Sequence, residues 1–169
     1  MLVGDDAQFL SQNWDQHIID FFNNFKHKDK ILYVCPRDMT GSDKRRWLKN
    51  KIPTDRPYKI ETHPSPIGAA HFVLHKNWIN TVGYFLPPQF WHWHIDNWLT
   101  KIAVRLGRAY VLPHVQIQSK KMIDDHTGKR IRKEMNIIER DLDVWKRTRD
   151  RYLTADVEIL QKFIKNYKG

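Results

Sequence analysis

The sequence predicts an α/β or α+β fold, a small mixed sheet with flanking helices. Apolar runs of strand length at residues 31–35 and 110–117 alternate with apolar residues at helical spacing in residues 14–25 and 97–106. The length of 169 residues, with 41% apolar and 28% charged residues, is typical of one globular domain. We therefore expect a single domain, with the sheet in residues 1–119 and a basic loop and two C-terminal helices in residues 120–169.

The first half of the chain is predicted to contain two strands and one helix. Residues 1–4 form a short apolar strand that leads into Asp5 and Asp6. Residues 14–25 have apolar side chains on one helical face, and residues 31–35 form a continuous apolar strand that Pro36 closes. The polar, proline-containing residues 37–66 are predicted to be a long irregular connection, which usually binds a ligand or moves.

The second half is predicted to contain two strands and four helices: strands at residues 69–74 and 110–117, and helices at residues 77–84, 97–106, 134–148 and from Thr154 onward. Asp96 and Thr154 are expected to be N-caps, and Gly107 ends the helix that Asp96 begins. So few strands leave a sheet edge without a partner. We therefore expect the N-terminal strands of the fold to be missing, with an upstream polypeptide completing it.

The charge of the chain favours anionic partners. Lys and Arg outnumber Asp and Glu by 29 to 19, giving a net charge of +10, and a field of this sign attracts nucleoside diphosphates or nucleic acid. Within the basic loop, Lys120, Lys121 and Arg130 are candidate anion contacts.

Cys35 is the only cysteine. It is expected to be a buried strand residue, and the lack of a second cysteine for a disulfide favours a reducing, cytoplasmic compartment. No apolar run approaches the roughly 18 residues of a membrane span.

Two adjacent carboxylates follow the first predicted strand. Oxygen ligands suit Mg²⁺ or Mn²⁺, and ligands of open α/β sheets gather at the carboxyl ends of strands. Asp5 and Asp6 are therefore candidate ligands of a divalent cation. An Asp pair in a turn or at a helix start is the simpler alternative.

Several further motifs follow in a fixed order: Asn13-Trp14-Asp15, His71 to Trp78, Gly83 to Pro88, Asp96 to Leu99 and Leu112 to Val115. Together with Gly4-Asp5-Asp6, this order and spacing resembles bacterial and phage glycosyltransferase-like proteins of the nucleotide-diphospho-sugar transferase (GT-A) fold. The likeness runs from residue 3 to about residue 118 and covers the C-terminal portion of that fold.

The resemblance implies a transfer of a sugar from a nucleotide-sugar donor to a hydroxyl acceptor. Asp5 and Asp6 would match the residues that position a divalent cation, Mn²⁺ or Mg²⁺, on the donor diphosphate. Asp96 would match the general base that takes the proton of the acceptor hydroxyl. The other candidate substrate contacts are His71, Trp91, Trp93 and His94.

The sequence departs from this family at two places. Members often have a histidine after the last strand, where it completes the metal site, and Ser119 stands there in this chain. His114 could replace it only if the register of that strand differs. The nucleotide-binding strands expected ahead of Gly4 are also absent.

Two other functions use the same residues. His92-Trp93-His94-Ile95-Asp96 contains a His-x-His-x-Asp pattern, in which alternate side chains of an extended segment could bind Zn²⁺ in a metal-dependent hydrolase. The basic charge also fits a non-catalytic nucleic-acid-binding or anion-binding domain. The aromatic residues near Asp96 could fill the core, with Trp78 and Trp98 expected to be the most deeply buried.

Overall fold

The computed structural model describes residues 1, 7–40, 45, 47–62, 71–119 and 136–168. These residues form a mixed sheet with helices against it, as the alternating pattern predicts. The strands with described bounds are β1 (Ala7–Phe9), β2 (Tyr33–Asp38), β3 (Tyr58–Lys59), β4 (Val73–Leu74) and β5 (Ala109–Ser119). The helices are α1 (Trp14–Asn24), α2 (Lys76–Val82), α3 (Ile95–Leu106), α4 (Ile137–Thr148) and α5 (Arg151–Asn166).

The sheet is built around the parallel pair β2 and β5. The strand order is β1-β5-β2-β4, and β3 also pairs with β5. β1 and β3 run antiparallel to β5, and β4 runs antiparallel to β2. The sheet is therefore mixed, with β5 as its longest strand.

Side chains of β2 alternate between two apolar clusters, one on each face of the sheet. Tyr33 and Cys35 pack with α2, α3 and α5 in the larger cluster. Val34 packs on the other side with Ile18 and Phe22 of α1. Parallel strands are usually covered on both faces, and this alternation meets that requirement. The prediction that Cys35 is buried is confirmed.

β2 continues two residues beyond the proline that was expected to close it. The parallel register with β5 shifts between Pro36 and Arg37, and the strand then runs on to Asp38. Because proline has no N–H to donate, a register irregularity at this point keeps the strand in the sheet. The consequence is that Asp38, rather than Cys35, ends the strand.

Two predicted helix caps are wrong. The N-cap of α3 is His94, so Asp96 lies within the first turn of the helix. α5 begins at Arg151 after Asp150, and the Thr154 hydroxyl donates a hydrogen bond to the Asp150 carbonyl. Both helices begin earlier than predicted, one at Ile95 and the other at Arg151. Gly107, by contrast, ends α3 as predicted, with a φ of 66° in the left-handed region.

A buried ion pair joins the two parallel strands where they begin. The Arg108 guanidinium donates to both carboxylate oxygens of Asp29, at 3.2 Å each. Asp29 also accepts a hydrogen bond from the Ile31 N–H at 2.8 Å, and the Arg108 carbonyl accepts one from the Tyr33 N–H at 2.9 Å. The pair therefore fixes the segment before β2 against the start of β5.

None of the described helices is long and apolar enough to cross a membrane.

Replacing Arg108 by alanine is expected to lower the free energy of unfolding by about 3–5 kcal/mol, because the Asp29 carboxylate then stays buried without its partner. Urea denaturation measures this change. The matched control is Arg147→Ala, which breaks the exposed ion pair of Arg147 with Asp143 and should change stability by less than about 0.5 kcal/mol. Equal effects of the two variants would contradict the role assigned to Arg108.

Candidate functional site

Polar side chains meet at the carboxyl ends of the two parallel strands. Asp38 is the last residue of β2, Ser119 is the last residue of β5, and His71 lies just before β4. The His71 Nε2 is 3.4 Å from the Ser119 Oγ and 3.8 Å from the Asp38 Oδ2. We call Asp38, His71 and Ser119 the strand-end cluster.

Hydrogen bonds hold the two strand ends together at this cluster. The Asp38 Oδ1 accepts from the Thr40 N–H at 2.7 Å. The Thr40 hydroxyl oxygen accepts from the Ser119 N–H at 3.0 Å, and the Met39 N–H donates to the Ile117 carbonyl at 2.7 Å. These bonds leave the Asp38 Oδ2 directed toward His71.

His71 is buried, with 9% of the residue's surface exposed. Its Nε2 faces Asp38 and Ser119, and its Nδ1 is buried without a hydrogen-bond partner among the residues that the structure describes. Histidines that bind ligands or metal ions often have a carboxylate beside the other ring nitrogen, which fixes the orientation of the ring. His71 therefore has the arrangement of a ligand-binding histidine.

The strand-end cluster supplies an imidazole next to the position where the family resemblance predicts one. Ser119 itself is a hydroxyl, but His71 is within 3.4 Å of it. Sequence reasoning named His71 only as a substrate contact and did not single out Asp38, because Pro36 was expected to end the strand before it. The signal that could have found Asp38 is its position three residues after the apolar run of residues 31–35.

His114 does not reach the strand-end cluster. The register of β5 with β1 places Ser119 opposite Ala7, and His114 lies five residues earlier, where its ring packs edge-on against His17 of α1 at 5.0 Å. Burial, followed by the charge of His17, lowers the pKa of His114. The suggested replacement of Ser119 by His114 is therefore wrong.

Five of the predicted site residues lie outside the described residues: Asp5, Asp6, Lys120, Lys121 and Arg130. Their roles stay predictions. The described part of β1 begins one residue after Asp6, with Ala7, which pairs with Ser119.

Asp96 lies in the first turn of α3 and is half-buried. Its Oδ1 accepts a hydrogen bond from the Asn97 side chain at 3.5 Å. Burial raises the pKa of the Cys35 thiol, a hydrogen bond with Tyr33 lowers it, and the negative charge of Asp96 raises it further.

Residues 90–94, which we call the aromatic loop, are held by one carboxylate from α4. Asp141 has no exposed surface, and it accepts hydrogen bonds from the backbone N–H groups of Trp91, His92 and Trp93 at 2.8–3.1 Å. The Arg140 guanidinium donates to it at 2.6 Å. Burial raises the pKa of Asp141, but these hydrogen bonds together outweigh it and leave the pKa below the usual carboxyl value.

The rings of the aromatic loop divide between solvent and core. Trp91 and Trp93 are 55% and 41% exposed, and the Arg140 guanidinium stacks on Trp91 at 3.9 Å from the ring centre. His94 stacks on Trp145 at 5.2 Å. Trp78 and Trp98 lie outside this loop, in the core, and have no exposed surface, as predicted. Trp91 and Trp93 are therefore available to a ligand.

The predicted zinc-binding pattern at residues 92–96 required an extended segment, and the structure does not have one there. The segment is not extended, because residues 91–94 form bends and turns and α3 begins at Ile95. Within the described ranges, no group of three or more His, Cys, Asp or Glu side chains could hold a metal ion. His92, His94 and Asp96 are thus not brought together as ligands.

Comparison of the chain with protein-family models, with curated proteins and with solved structures gives no match.

Replacing Asp141 by asparagine should destabilise the protein by about 1–3 kcal/mol near neutral pH, since the N–H donors lose a charged acceptor. Because the folded pKa is lowered, this contribution is present above the ordinary carboxyl pKa and is lost as the pH falls through the lowered value. The stability difference between wild type and variant should therefore shrink below about pH 4. Chemical denaturation over a pH series measures it.

Asp143→Asn is the control for this prediction, since Asp143 lies on the same helix but has half of its side chain exposed. A stability difference that stays constant down to the most acidic pH would show that Asp141 does not hold the aromatic loop as a carboxylate.

Proposed function

We propose that this protein is a glycosyltransferase-like enzyme of the GT-A type, which transfers a sugar from a nucleoside-diphosphate donor to a hydroxyl acceptor. The observation that carries the proposal is the strand-end cluster. It gathers a carboxylate, an imidazole and a hydroxyl at the carboxyl ends of two parallel strands, where ligands of α/β sheets bind. Ala7, the residue after Asp5-Asp6, pairs with Ser119 of this cluster.

The described residues offer one ligand for a divalent cation, the imidazole of His71. The His71 Nδ1 is buried and without a described partner, and Asp38 and Ser119 orient the ring through the other nitrogen. His71, with Asp5 and Asp6, would hold Mn²⁺ or Mg²⁺. When bound, such a cation neutralises the charge of the departing diphosphate.

Asp96 is proposed as the general base. Its carboxylate takes the proton of the acceptor hydroxyl while that oxygen bonds to the anomeric carbon and the bond from this carbon to the diphosphate oxygen breaks. The half-buried position of Asp96 in the first turn of α3 supports this role.

Trp91, Trp93 and His94 are proposed to form the acceptor side of the site. Asp141 fixes the backbone under the two tryptophans, so their exposed rings are held in place before a ligand binds. Flat aromatic rings pack against the apolar faces of sugar rings. The net charge of +10 favours the anionic donor, and Lys120, Lys121 and Arg130 are proposed contacts for it.

Calorimetric titration of Mn²⁺ together with UDP or GDP tests the donor site. Binding should weaken by at least about tenfold in His71→Ala, because the imidazole and its oriented ring are lost, and it should disappear in Asp6→Ala. The control is His92→Ala, which removes an exposed imidazole and should leave binding unchanged. Absence of Mn²⁺-dependent heat with either nucleotide in the wild type contradicts the proposed donor site.

Asp96→Asn separates chemistry from binding. The variant should bind Mn²⁺ and nucleotide like the wild type, while release of nucleoside diphosphate from UDP-sugars or GDP-sugars with an acceptor mixture falls by about 10²- to 10⁴-fold, because no base accepts the proton. Asp150→Asn, at an exposed carboxylate, is the control. If the chain instead binds DNA or RNA with a steep salt dependence that Asp5 and Asp96 substitutions do not change, the transferase proposal is wrong.

A further inference from the structure

A cavity of about 410 Å³ lies beside α3, between α5 and the segment that leads into the aromatic loop. We call it the side pocket. Its aromatic walls are Tyr84, Trp98 and Tyr152, and its other lining residues are Pro88, Gln89, Thr148 and Asp156, which supplies a carboxylate. None of these residues belongs to the strand-end cluster or to the proposed base.

Hydrogen bonds fix the polar wall of the side pocket. The Asp156 Oδ2 accepts from the Trp98 indole N–H at 3.0 Å and from the Tyr84 hydroxyl. The Tyr84 oxygen also accepts from the Trp98 indole N–H, at 3.3 Å. The other carboxyl oxygen of Asp156 has no hydrogen bond from a described residue, so it is free to accept one from a ligand.

The charges around the side pocket disfavour a cationic ligand. The Arg151 guanidinium lies 5.7 Å from the Tyr152 ring centre, and Arg105 donates to the Thr154 hydroxyl on the neighbouring turn of α5. The Asp156 carboxylate opposes an anionic ligand. Burial raises the pKa of Asp156, with hydrogen bonds from Tyr84 and Trp98 lowering it in part. The pocket thus combines aromatic faces with the polar side chains of Asp156, Gln89 and Thr148 and is poorly matched to a charged ligand.

From this arrangement we infer that the side pocket binds a neutral sugar ring. A pyranose presents an apolar C–H face to an aromatic wall and hydroxyl donors to a carboxyl oxygen. Tyr152 is the accessible wall, with 54% of its surface exposed, and Asp156 is the hydroxyl acceptor.

The side pocket and the aromatic loop are adjacent in the chain, because Gln89 lines the pocket and directly precedes the loop. Gln89 is two residues from Trp91, a span of at most about 7 Å, and the Gln89 carbonyl accepts a hydrogen bond at 3.2 Å from the same Arg140 that stacks on Trp91. The inference therefore deepens the proposed function, on which this step rests: the acceptor is an oligosaccharide, with one ring in the side pocket and the next sugars along Trp91 and Trp93.

Saccharide binding is tested without donor or cation, by ¹H–¹⁵N spectra of the tryptophan indole groups. Titration with methyl glycosides of neutral hexoses and with N-acetylglucosamine should move the Trp98 indole resonance, because that N–H is bonded to Asp156. The Trp78 indole, which lines no part of the pocket, should stay in place. Tetramethylammonium and inorganic phosphate are the charged comparators and should leave Trp98 unmoved.

Tyr152→Ala should weaken saccharide binding by about three- to tenfold through the loss of one aromatic face. Tyr167→Ala is the matched control, since it removes an exposed tyrosine just beyond α5 and away from the pocket. Asp156→Asn should also weaken binding, and the unchanged indole spectrum of the free variant away from Trp98 would show that the fold is intact.

Three results would overturn the inference: no glycoside moves the Trp98 resonance, tetramethylammonium or phosphate moves it instead, or Tyr152→Ala binds as well as Tyr167→Ala. Because neither nucleotide nor Mn²⁺ is present, failure here is separate from failure of the donor-site calorimetry. If the protein binds glycosides but does not bind Mn²⁺ and nucleotide, the inference about the side pocket is supported and the transferase proposal is contradicted.

Discussion

The parallel pairing of β2 with β5 is the constraint on which the rest of the structure depends. Because these two strands run in the same direction, their carboxyl ends meet at one edge, and Asp38 and Ser119 meet there with them. Because both faces of the pair must be covered, α1 lies on one side and α2, α3 and α5 lie on the other. The position of α3 then decides where Asp96 lies.

Buried or half-buried aspartates join parts of the chain that are far apart in sequence. Asp29 binds Arg108 at the start of the parallel pair, Asp141 binds the backbone of the aromatic loop, and Asp156 binds the Trp98 indole and the Tyr84 hydroxyl. Each carboxylate is compensated by hydrogen bonds from at least one distant segment, which is the condition for burying a charge. The three acidic residues therefore fix loops rather than solubilise the surface, and two of them adjoin the proposed acceptor side.

The contrast between rigid backbone and exposed rings supports a binding role for the aromatic loop. Here three successive N–H groups are bonded to Asp141, while Trp91 and Trp93 remain largely in solvent. The loop is thus ordered by its backbone, and it leaves the Trp91 and Trp93 rings outside the core.

Local patterns in the sequence predicted the elements, because a helix or a strand is visible in the spacing of its own apolar residues. The helix at residues 14–25, the burial of Cys35, Trp78 and Trp98, and the stop at Gly107 were all predictable in this way. The ends of the elements were less predictable. Pro36 was expected to end β2, which continues past it, and the predicted N-caps of α3 and α5 lie after the residues at which these helices begin.

What the sequence alone determined is the α/β class, the apolar run that forms the first half of β2 and the burial of Cys35, Trp78 and Trp98. Only the tertiary structure decided which residues meet. His71 reaches Asp38 and Ser119 through a register shift at Pro36, and Asp141 and Asp156 find their donors about 50 to 70 residues away in the chain. Side-chain spacing along a chain carries no information about such contacts, because long-range pairing is fixed by how the strands and helices pack together.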